Sequence, residues 1–80
     1  MEFDFSKLRG RIVEKFGTLE RFAAAMERTK GWISNRMNNV VPWDGLEIHE
    51  ACVLLEIDAS EIPAYFFARK VPLSELAPVE

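Results

Sequence analysis

Apolar residues recur along this chain at spacings of three and four, the period of a helix with one buried face. Phe5, Leu8, Ile12 and Phe16 form the first such stripe, with Val13 at its margin. Phe22, Ala23 and Met26 form a second, Ile33 and Met37 a third, and Ile48, Ala51, Cys52 and Leu55 a fourth, with Leu54 beside it. Ile62, Tyr65 and Phe66 complete the series, and Ile57 drops toward the core before it. These stripes predict helices over 5–16, 18–26, 30–38, 45–56 and 61–68, and a core built on Leu8, Ile12, Phe22, Ala23, Ile33, Ile48, Leu55 and Phe66. No alternation of period two is long enough for a strand, so no sheet larger than a pairing of the tail is expected.

Polar residues at the ends of the stripes set the boundaries. Asp4 or Ser6 caps the first helix, and Gly17 ends it by taking the left-handed conformation. Thr18 and Thr29 can each accept from free N–H groups of the next two helices. Asp44 and Glu47 have the spacing of a capping box, and Ser60 is placed to cap the fifth helix. Pro63 is tolerated in the first turn, where no backbone donor is needed. Asn38 and Asn39 suit a turn, and Pro42 holds Val41 extended before Trp43, a plug over the helix junction. Met1–Asp4 is expected to be loose. Residues 69–80 hold two prolines and no periodicity, and read as a tail ordered only against a partner.

The stretch 18–38 reads as two short helices joined by a tight turn, with Ala23 small enough to let them cross closely. It resembles the helix-turn-helix of the lambda-repressor-like family, the Cro and CI type of phage regulators, through Phe22-Ala23, Met26, Ile33-Ser34 and Met37-Asn38. Residues 5–16, 47–57 and 61–67 look like the first, fourth and fifth helices of short Cro-like proteins. The resemblance implies an all-α, five-helix DNA-binding domain over 1–68, followed by the tail 69–80.

It also implies a phage or prophage transcriptional regulator that inserts helix 30–38 into the major groove of an operator, with no cofactor. Carried over by position, Lys30, Gly31, Ser34 and Asn35 face the bases. Arg28 and Thr29 meet phosphate at the helix start, and Asn38 and Asn39 meet it just past the end. Arg9, Arg11 or Arg36 adds electrostatic contacts. One such helix reads few base pairs, so a homodimer on a near-palindromic site is expected. Its surface would include Phe67, Val71 and Leu73, or the start of the fifth helix. Trp32 is expected to be at least partly exposed, stacked on sugar–phosphate or covering a neighbour.

Net charge of −3 changes the picture less than its distribution does. Residues 1–43 hold eight Lys or Arg against five acids, net +3, and residues 44–80 hold two against eight, net −6. A basic front can meet phosphate while the acidic back stays screened. Net acidity and two departures from the family favour a rival function: Leu19 stands where Gln is usual, and Glu27 where the turn usually has Gly. The rival is the same fold used as a protein-binding module, an antirepressor or antitoxin-like partner.

Other chemistry is not indicated. Cys52 alone allows neither an internal disulfide nor a cysteine zinc site, and reads as a small core residue. His49 has no second imidazole, the serines have no triad partner, and the four glycines form no phosphate loop, so no enzyme and no small-molecule substrate are expected. Apolar runs are too short to span a membrane, and the N-terminus is unlike a signal peptide, so a cytoplasmic location is expected.

Overall fold

Five α-helices and one 3₁₀ turn follow one another in the computed structural model, which describes residues 2–70. They are α1 (Ser6–Phe16), α2 (Leu19–Ala25), α3 (Lys30–Met37), α4 (Gly45–Leu55), a 3₁₀ turn (Ala59–Glu61) and α5 (Ile62–Phe66). The all-α class expected from the stripes holds, and each of the five helices begins and ends within one or two residues of its expected bounds. All eight expected core residues are buried, joined by Phe5, Met26, Met37, Ala51, Cys52, Ile57 and Tyr65.

The caps explain where the helices start. Thr18 accepts from the Arg21 N–H at 3.1 Å and Thr29 from the Trp32 N–H at 3.1 Å. Asp44 and Glu47 form the full capping box. Gly17 leaves α1 at φ 86° and ψ −44°, a positive φ that favours glycine although it is not the left-handed helical conformation expected of it. Glu27 carries φ 60° in the turn between α2 and α3, a conformation that costs a residue with a Cβ on the order of 1 kcal/mol.

Three local expectations are overturned. Ser6 is not a cap but the first residue of α1; its N–H and hydroxyl donate to Asp4 Oδ1. Ser60 is not the cap of the fifth helix, because Asp58 accepts from the Ser60 N–H and starts a 3₁₀ turn instead. The α-helix after it is therefore only five residues long.

The N-terminal residues are not loose either. Asn39, at φ 61°, uses both ends of its amide on Phe3: Oδ1 accepts from the Phe3 N–H at 2.9 Å and Nδ2 donates to the Phe3 carbonyl at 3.0 Å. Phe3 also forms an antiparallel bridge with Arg69, and Asp4 N–H donates to Ala68 O. Residues 2–4 thus close the bundle beside the end of α5. Phe67 lies edge-on to Phe3 at 5.6 Å, which gives it an internal partner although it stays 47% exposed. The rest of the expected tail, with Val71 and Leu73, lies outside the described residues.

Candidate interaction face on α3

The outward side of α3 follows from what its inward side must do. Ile33 and Met37 are buried, so Lys30, Gly31, Ser34 and Asn35 stand in solvent with Arg28 and Thr29 just before them and Asn38 just after. The seven residues expected to form one surface are all exposed. A depression of about 200 Å³ runs between α2 and α3, walled by Leu19, Glu20, Lys30, Ser34 and Asn38, with Arg9 of α1 at its rim.

These side chains differ in what they are free to do. Thr29 is engaged as the α3 cap. Asn38 Nδ2 donates to the Ser34 carbonyl and to Ser34 Oγ at 2.9 and 3.2 Å, so the two polar groups hold each other. Lys30 Nζ lies 3.9 Å from Glu20 Oε2, a loose surface pair. Asn39 turns away from this face to Phe3 and is no part of it.

Two arginines expected to add positive charge are engaged elsewhere. Arg11 Nε donates to the Leu55 carbonyl at 2.9 Å and Nη2 to the Glu56 carbonyl at 3.1 Å, closing the end of α4. Arg36 is paired with Glu47 across the α3–α4 junction, at 2.9 Å from Nη2 to Oε2 and 3.3 Å from Nε to Oε1.

Glu47 was legible only as half of a capping box. In the fold it is 3% exposed and receives four hydrogen bonds: two from Arg36, one from Trp32 Nε1 at 3.0 Å and one from the Asp44 N–H at 3.1 Å. Burial pushes its carboxyl up, but the donations from Arg36, the Asp44 amide and Trp32 outweigh that and hold it below the ordinary 4.5. The signal available in the sequence was its position, next to Ile48 and one turn before Ala51, on the inward stripe.

Trp32 is half-buried and covers neighbours rather than projecting outward. Its ring meets Trp43 edge-on at 5.4 Å, and Trp43 meets Phe66 the same way at 5.1 Å. The Arg36 and Arg28 guanidinium groups lie 5.1 and 5.5 Å from the Trp32 ring. Arg28 therefore borders the α3 face while resting on an aromatic anchored to the core.

A family profile described as "Protein of unknown function (DUF739)" matches residues 1–69. The chain belongs to the DUF739 family. It is also similar to the modulator of repression (MOR) of the temperate bacteriophage TP901-1 from Lactococcus lactis, known from a solution structure. The two share 42% sequence identity with a TM-score of 0.77, over 89% of this chain and 96% of the other. No curated protein matches the chain. The DUF739 chain is thus similar to a phage regulatory protein, and neither comparison indicates an enzyme. Among its described residues no helix is long and apolar enough to cross a membrane.

Proposed function

We propose that this DUF739 chain modulates a phage-type repression switch by binding a protein, as an antirepressor-like module. The observation that carries this reading is the charge balance around α3. Arg11 and Arg36 are engaged inside the molecule, and Lys15 is paired with Glu56. Arg9, Arg28 and Lys30 remain near the face, opposed by Glu20 beside Lys30 and by Glu27 in the turn. With Arg21 of α2 also exposed and in no ion pair among the described residues, four cations against these two acids neutralise few phosphates, and phosphate neutralisation supplies most of the affinity of a DNA binder. The similarity to a modulator of repression points the same way.

The test pairs a reporter promoter held off by its own phage-type repressor with gel shifts of the operator duplex. Expression of the chain is expected to relieve repression, while the chain alone leaves the duplex unshifted at about 150 mM salt. A shift by the chain alone, steeply weakened by salt, would overturn the reading.

A second reading is sequence-specific DNA binding by a homodimer on a near-palindromic operator, with α3 in the major groove. It is favoured by Asn35, whose exposed amide makes no side-chain hydrogen bond among the described residues and could pair with adenine N6 and N7. Lys30, Gly31 and Ser34 would be its neighbours at the bases, with Arg28, Thr29 and Asn38 at phosphates.

A further inference from the structure

Among the described residues nothing packs on the outer face of α4, which forms a ridge. Leu46, His49 and Val53 are spaced by three and four residues and project from one side of the helix. Leu46 is 65% and Val53 64% exposed. A groove runs along each flank of the ridge. One, of about 300 Å³, lies toward the end of α2 and is lined by Ala25, Met26, Glu27, Glu50 and Leu54. The other, of about 240 Å³, lies toward the 3₁₀ turn and is lined by Cys52, Ile57, Ala59 and Ile62. His49 and Val53 belong to both. A ridge between grooves is the relief against which a second helix packs.

Charge decides what kind of helix. Glu27 and Glu50 stand in the first groove, and Asp58 and Glu61 flank Ala59 and Ile62 in the second. None of the four takes part in an ion pair among the described residues. Residues 71–80 contain no Lys or Arg that could neutralise them. Glu50 Oε1 is buried and receives no hydrogen bond among the described residues, a state an arriving ammonium or guanidinium group would relieve. Nucleic acid and anionic lipid are repelled by the same four carboxylates.

We infer that the α4 ridge is a docking surface for a cationic amphipathic helix of a protein partner. Its apolar stripe covers Leu46 and Val53, and a Lys or Arg beside that stripe pairs with Glu50 and Glu27. The inference rests on the protein-partner reading above and names the surface and the partner's chemistry. Apart from Glu27, which stands in the turn before α3, it uses no residue of the α3 face.

The experiment titrates the full isotope-labelled chain with a Leu/Lys amphipathic helical peptide of about five turns, followed by amide NMR. A Leu/Glu peptide of the same pattern is the control. Saturable shifts are expected at Leu46–Val53 and Ala25–Glu27 with the Leu/Lys peptide alone. Leu46→Ser/Val53→Ser is expected to weaken the peptide about tenfold or more, and Glu50→Gln about threefold to tenfold. These positions are outside the core, and the spectra of the free variants verify the fold. Shifts centred on Lys30–Asn38, equal response to both peptides, or unchanged affinity in the double variant would each overturn the ridge. The reporter assay separates the two claims. A double variant that still relieves repression removes the ridge and leaves the protein-partner reading standing, whereas a wild-type chain that relieves nothing removes that reading itself.

Discussion

Glu47, in the first turn of α4, holds Arg36, in the last turn of α3, with 2.9 Å between Oε2 and Nη2. Eleven positions separate them, and the pair fixes how the exposed side of α3 is presented. The same carboxylate takes the Trp32 N–H, so one group orients the cation, the indole and the helix cap together.

Removing one partner of so enclosed a pair leaves the other uncompensated. Glu47→Ala is expected to destabilise the domain by about 3 kcal/mol, with Glu47→Gln somewhat less harmful because it keeps part of the cap. Urea unfolding followed by tryptophan fluorescence measures both, and Trp32 should redden in either variant as its N–H partner changes. A loss below about 0.5 kcal/mol would show that the pair is replaceable by solvent.

The pair also sets an acid limit. The Glu47 carboxyl titrates lower in the folded chain than its ordinary 4.5. Its contribution is therefore complete above that value and disappears as pH falls through the lowered one. Stability should decline below about pH 4.5, and the decline should be shallower in Glu47→Gln. Equal acid limbs for wild type and variant would assign the decline to other carboxylates.

Gly31 stands in the first turn of an eight-residue helix. A methyl group there would meet only Thr29 Oγ1, at 3.9 Å, an ordinary contact. Gly31→Ala is expected to stabilise the chain by about 0.5–1 kcal/mol through helix propensity and a less flexible unfolded state. If the glycine serves close approach to a partner, binding weakens while thermal stability rises, a split visible by measuring both on one preparation.

Asn39 secures the N-terminal segment by a bidentate amide contact and accepts a left-handed backbone to do so. Asn39→Ala loses two hydrogen bonds and keeps the strained φ, for an expected cost of about 2 kcal/mol. Amide exchange at Phe3 and Asp4 should accelerate in that variant. Unaltered exchange there would mean that the pairing with Ala68 and Arg69 holds residues 2–4 unaided.

Nucleic-acid binding can be bounded numerically. With Arg9, Arg21, Arg28 and Lys30 as the cations available to the face, the slope of log affinity against log salt should be no steeper than about −4 per chain. Under the DNA reading, Asn35→Ala should cost about 1–3 kcal/mol at a preferred site, and Arg28→Ala should weaken all sequences alike. Selection from randomised duplexes that enriches no sequence would leave Lys30 and Asn35 without a reading role.

The helical stripes and most caps were written locally. Side chains three and four residues apart share a face in any α-helix, and Thr18, Thr29 and Asp44 cap through atoms within three residues, so the order of elements and the core could be read directly. The exposed set on α3 followed too, because burying Ile33 and Met37 fixes what must face outward. Tertiary structure alone decided what those exposed groups are free to do. Whether Arg36 meets solvent or Glu47, whether Asn39 faces outward or holds Phe3, and whether Arg11 joins the front or closes α4 depend on partners 11, 36 and 44 positions away. Charge type predicts that such a side chain seeks an opposite charge or a free carbonyl. Which one it finds is set by helix crossings that bring distant segments within 3 Å, and no local periodicity encodes that geometry.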